Sequence, residues 1–137
     1  PDQIHRYQAK LSGPLMDRID LHVEVPNLAH ADLLGAPAGE STDSIRARCD
    51  AARARAVARQ GSSNMALQGQ AIDQHVQLDA DALKFLNVAA SRLGWSARGT
   101  HRALKVARTI ADLAGAQYTQ VAHLAEAMQY RRNPGSL

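Results

Sequence analysis

The sequence predicts a mainly α protein: a helical bundle preceded by a short helix and by one orphan strand. Three observations predict it. Hydrophobic residues fill 45% of the 137 positions but aromatic residues only 4%, so the core is built from Ala, Leu, Val and Ile, a composition that favours packed helices. After position 41 the apolar residues recur at three- and four-residue steps, in series opened by Ser, Thr or Asp and most of them closed by glycine. Convincing two-residue alternation is confined to Ile19, Leu21, Val23 and Val25 against Asp20, His22 and Glu24.

Taken in order, residues 2 to 11 read as a short helix, with proline and an acid at its start and Ile4, Tyr7 and Leu11 on one side. Gly13-Pro14 breaks it. The strand spans 19 to 25 and ends at Pro26. A single strand leaves its backbone donors and acceptors unpaired. With no initiator methionine at position 1, the chain reads as a piece of something larger. Residues 27 to 40 carry turn formers and few large apolar groups, and read as a connector.

Ser41-Thr42-Asp43 supplies the N-cap of a helix running to Gln60, closed by Gly61, with Ile45, Cys49, Ala52, Ala56 and Val57 as its apolar stripe. Residues 61 to 69 form a loop, and a short helix occupies 70 to 76. Asp79 caps a helix whose stripe is Leu83, Leu86, Ala90 and Leu93, ending at Gly94. Ser96 caps the most regular helix, with a broad apolar face of Ala103, Val106, Ala107, Ile110, Ala111, Leu113 and Ala114, ended by Gly115. Thr119 caps the last helix, which turns Val121, Leu124, Ala125 and Met128 inward; residues 131 to 137 read as a frayed tail. The organisation is then 1–26, a connector at 27–40, a helical domain at 41–130 and a tail at 131–137.

Composition narrows the function. No apolar run approaches the roughly 18 residues that span a membrane, and no signal peptide opens the chain, so the expectation is a soluble cytoplasmic protein without membrane partners. The lone cysteine, Cys49, forbids an internal disulfide and reads as a small core residue. The six histidines show no HExxH spacing and there is no CxxC, so no metal site is expected. No GxxxxGK[ST] loop is present, so the chain does not cradle a nucleoside triphosphate by itself.

Of sixteen basic residues three are lysines (Lys10, Lys84, Lys105), leaving thirteen arginines, at a net charge of +3. Arginine suits planar contacts to phosphates or carboxylates; a bias of the genome toward arginine and alanine gives the same count. Arg46, Arg48, Arg53, Arg55 and Arg59 make one helix basic, as either a solvated surface or a contact with nucleic acid or a neighbouring subunit. On the long helix Arg98, Arg102, Lys105 and Thr109 form one edge. Arg98 stands in the first turn, where the helix dipole disfavours a cation lacking a negative partner, which makes it a phosphate-contact candidate. The competing reading pairs it with Asp81 or Asp112. Arg18, in the turn before the strand, either projects outward or pairs locally with Asp17 or Asp20.

Two long motifs, Gly13-Pro14-Leu15-Met16-Asp17-Arg18-Ile19-Asp20-Leu21-His22-Val23-Glu24-Val25-Pro26 and, with Arg98, Lys105-Val106-Ala107-Arg108-Thr109-Ile110-Ala111-Asp112-Leu113-Ala114-Gly115, closely resemble the C-terminal part of the magnesium-chelatase-like AAA+ ATPases of the ComM/YifB type. The similarity continues through His123-Leu124-Ala125-Glu126-Ala127 and Gln129-Tyr130-Arg131. It implies that residues 1–26 end an α/β ATPase core whose phosphate loop, Walker B and sensor-1 elements lie upstream, and that 41–130 is the helical lid. It implies further that Arg18 is the arginine finger reaching the ATP of a neighbouring subunit, and that Arg98 is the sensor-2 arginine, with Arg102 as its rival. ATP and Mg2+ are implied for the intact protein, none for this piece alone, and the partners are identical subunits in a hexameric ring and DNA. The ComM-type function is DNA branch migration in natural transformation; a metal-chelatase motor and an independent helical nucleic-acid-binding or adaptor module are the alternatives.

Overall fold

The computed structural model describes residues 15, 18–27 and 39–131. The predicted helix at 2–11, most of the connector and the tail beyond Arg131 lie outside the described residues. The helices are α1 (Thr42–Gln60), α2 (Gln70–Val76), α3 (Ala80–Leu93), α4 (Ala97–Leu113) and α5 (Val121–Gln129), with a 3-10 turn at Asn64–Ala66. The mainly helical class is therefore as the composition predicts.

Local chemistry sets the ends. The Ser41, Asp79 and Ser96 side chains accept the N–H groups of Ser44, Ala82 and Gly99, satisfying donors that a helix start leaves open. Gly61 and Gly94 close α1 and α3 in the left-handed conformation, at φ 74° and 59°. The start of α5 differs from expectation. Its cap is Gln120, whose N–H donates to Nδ1 of His123. Thr119 is fully buried instead, donating its hydroxyl to the Val76 carbonyl at 2.6 Å. Its backbone bridges the α2–α3 loop through Gln77 and Asp79, so the two loops are stitched together.

α4 is the central helix, packed by α5, α1, α2 and the 3-10 turn, while α3 lies against α5. Ala103, Ala107 and Ala111 are wholly buried on it; their small side chains let neighbours approach closely. Leu67, Ile72, Val76, Ala82, Leu86, Leu104, Leu124 and Ala127 fill the space between.

Two stripes are misassigned by periodicity. On α3 the buried face is Ala82, Leu86 and Ala89, whereas Leu83 and Leu93 are about half exposed. Both stripes pass through Leu86, and α5 takes the side whose alanines allow the closer approach. On α1 only Ala52 and Ala56 are buried; Ile45, Val57 and Cys49 are exposed, because α1 rests on α4 through its C-terminal half. Cys49 is thus a surface residue, contrary to the core assignment.

The joint between α1 and α4 is ionic. Asp112, 1% exposed, accepts Arg59 at 2.7 and 2.9 Å, Asn64 at 2.8 Å and Arg108 at 2.8 Å. Arg108, also 1% exposed, donates further to the carbonyls of Ala116, Gln117 and Val76. Burial alone would raise the Asp112 carboxyl, but the hydrogen bonds from Arg59, Asn64 and Arg108 outweigh it and hold it below its ordinary range. A depressed value in the fold means that this stabilisation is complete above the unfolded carboxyl's pKa of about 3.9 and is lost as pH falls through the folded value. The stability difference between the native chain and an Asp112→Asn variant, measured by urea unfolding, is therefore constant at neutral pH and shrinks below about pH 4. A difference that does not change with acidification would contradict the ionic joint.

Candidate functional site

The segment after Arg18 does not form the predicted strand. A strand needs a ladder of hydrogen bonds to a partner strand, and no strand lies beside 19–25 among the described residues; Val23 and Val25 are 67% and 86% exposed. The Arg18 N–H closes a turn on the Leu15 carbonyl at 3.0 Å, so Arg18 stands in a turn rather than on a sheet edge. Its side chain is exposed and pairs with no described residue.

What holds the segment is the helical domain. His22 N–H donates to the Tyr130 carbonyl at 2.7 Å, at the end of α5. Arg131 reaches the Ile19 carbonyl at 3.2 Å. Arg102, on α4, makes a salt bridge to Asp20. These ties border a cleft of about 480 Å³ whose walls include Leu21, Lys105, Ile110 and Tyr130.

The structure sorts the basic residues. Arg98 is exposed in the first turn of α4, where no acid stands, and pairs with neither Asp81 nor Asp112. Arg102 is committed to Asp20, and Lys105 donates to the Met65 carbonyl at 3.0 Å. Along that edge Arg98 is the residue left facing outward. On α1, Arg46 and Arg48 make surface pairs with Asp43 and Glu40, and Arg53 is exposed without a described ion pair. Arg59 turns inward to the Asp112 carboxylate, while Arg55, still exposed, donates to the Asp112 carbonyl at 3.0 Å. Both guanidiniums join α1 to α4, and Arg59 is thereby taken up in the domain while Arg55 stays at its surface. Among the described residues no three His, Cys, Asp or Glu side chains gather where a metal could bind, and no helix is long and apolar enough to cross a membrane.

Residues 39–131, all five helices included, match the family model described as magnesium chelatase, subunit ChlI C-terminal. The chain belongs to the magnesium chelatase ChlI C-terminal family. Ahead of the ChlI C-terminal domain, residues 1–33 match the model for magnesium chelatase, subunit ChlI. Competence protein ComM of Haemophilus influenzae is 42% identical over 132 residues, covering 96% of this chain and 26% of that protein. YifB of Salmonella typhimurium is 41% identical, and YifB of Escherichia coli 39%, each over 96% of this chain and 26% of the relative. The chain thus spans about a quarter of the length of the curated relatives it matches. Arg18 falls within the ChlI match over 1–33, and Arg98 lies on the central helix of the ChlI C-terminal domain.

Sequence reasoning missed Arg108 and Asp112 as a buried pair. Their signal was present: two opposite charges four residues apart, inside the run of alanines on the broad apolar face of α4.

Proposed function

We propose that this chain is the lid region, with the end of the core, of a ring-forming AAA+ ATPase that remodels DNA as a branch-migration motor in the cytoplasm. The observation that carries the reading is the order of the two matches, ChlI over 1–33 followed by its C-terminal domain over 39–131, joined with the likeness to competence protein ComM. The subunits form a hexameric ring and hydrolyse ATP, which enters with its Mg2+ as substrate. Arg18 enters the ATP site of the next subunit, where phosphoryl transfer spreads negative charge over the γ-phosphate oxygens. Arg98 meets the nucleotide of its own subunit, so hydrolysis changes the angle between lid and core. Both side chains are exposed and unpaired among the described residues, as such roles require. Arg46, Arg48, Arg53 and Arg55 are the exposed α1 arginines that face DNA or a subunit.

The test is branch migration of a synthetic four-way junction by the full-length protein. The expected result is strand exchange that requires hydrolysable ATP. ATP hydrolysis with no effect of the protein on the junction would overturn the DNA reading. The description of the matching family model favours a second reading, a motor for metal insertion into porphyrin. ATPase stimulation separates the two, since DNA stimulates the first motor and leaves the second unchanged.

A further inference from the structure

The Asp20–Arg102 salt bridge joins the two arginine-bearing elements. Asp20 lies two residues after Arg18, in a segment that makes no strand pairing among the described residues, and Arg102 lies one turn along α4 from Arg98. A turn that presents an arginine to a reacting phosphate must be held in place, because a 1 Å misplacement of a reacting group costs up to about 100-fold in rate. Three ties run from this segment to the helical domain: Asp20 to Arg102, the Ile19 carbonyl to Arg131, and His22 N–H to the Tyr130 carbonyl. The His22–Tyr130 tie is wholly main-chain, and the Arg131 tie sets a guanidinium on a main-chain carbonyl. The ion pair is the tie with a side chain at both ends, with Arg102 26% and Asp20 45% exposed at the side chain.

We propose that Asp20 and Arg102 are positioning residues, a latch that fixes the Arg18 turn to the lid helix bearing Arg98. This rests on the reading of Arg18 as a trans-acting finger, and deepens it. A lid displaced by the nucleotide of its own subunit carries Arg102 with it, and through Asp20 it moves Arg18 in the site of the next subunit. Nucleotide state then passes around the ring through one ion pair. Arg102 acts on this turn and does not contact the nucleotide.

The test is steady-state ATP hydrolysis by the full-length protein. Asp20→Asn and Arg102→Gln each lower kcat by about 10- to 100-fold, with KM for ATP and the melting temperature unchanged. The charge-exchanged double variant, Asp20→Arg with Arg102→Asp, recovers most of the rate, which a loss of folding would not allow. In an Arg18→Ala background neither substitution lowers the rate further. The latch is overturned if Arg102→Gln raises KM while Asp20→Asn is silent, or if the effects add to that of Arg18→Ala. If Arg18→Ala itself turns over at the native rate, the finger reading fails; if Arg18→Ala is inactive and the other two variants are unaffected, only the latch fails.

Discussion

Replacing Arg18 by alanine in the full-length protein lowers ATP turnover by about 10³-fold or more, the scale set by arginine fingers in well-studied phosphoryl-transfer enzymes. The loss falls on kcat, because the guanidinium meets charge that develops on the γ-phosphate only as the bond to the leaving oxygen breaks. KM for ATP changes little, since in the proposed arrangement the residues that hold the nucleotide belong to the neighbouring subunit. Arg18→Lys does not restore the rate, for an ammonium lacks the planar fork that spans two phosphate oxygens. The domain itself is unaffected: Arg18 is exposed and pairs with no described residue, so urea unfolding is unchanged. Turnover at the native rate would remove Arg18 from the reaction.

Asp112→Ala has the largest effect on stability. Removing one partner of a buried ion pair costs about 3 to 5 kcal/mol, a large share of the roughly 5 to 15 kcal/mol that stabilises a typical domain. The reason is the charge left behind. Arg108 is 1% exposed, and without Asp112 its positive charge keeps only the backbone carbonyls of Ala116, Gln117 and Val76. Arg59 and Asn64 lose their shared acceptor at the same time, so α1 loosens from α4. Arg108→Met is no remedy, because it leaves those carbonyls without the donor that satisfies them. Urea unfolding of the chain measures both variants. A loss for Asp112→Ala of less than about 1 kcal/mol, the net worth of one ordinary hydrogen bond, would mean that the network adds nothing beyond a surface contact.

Helix ends were legible in the sequence because they depend on chemistry within a few residues. Ser41, Asp79 and Ser96 cap through oxygens that any local reading finds, and Gly61 and Gly94 supply the left-handed close. Which face a helix buries is a question about its neighbours. The pattern of α3 allows a stripe through Leu83 and Leu93 as readily as one through Ala82 and Ala89, and only the position of α5 decides. Cys49 and Val57 fit a core stripe by spacing for the same reason, though α1 meets α4 through Ala52, Arg55, Ala56 and Arg59. Thr119 resembles a cap by type, yet the stitch between two loops takes its hydroxyl. At the site, the position of Arg98 in a first turn without acids was readable from sequence. The engagement of Arg102 by Asp20, 82 residues away, was not, since it exists only once the segment lies on the lid. The role proposed for Arg18 rests on resemblance, because a turn before an alternating run carries no chemistry of its own.

The central claim is that Arg18 serves the ATP site of a neighbouring subunit. Its most direct measurement mixes two full-length variants, Arg18→Ala and one disabled in its own phosphate loop, each inactive alone. In mixed rings an Arg18→Ala subunit with an intact phosphate loop adjoins one that still carries Arg18, so ATP hydrolysis returns on mixing. Mixtures that stay inactive although the subunits assemble would contradict the account.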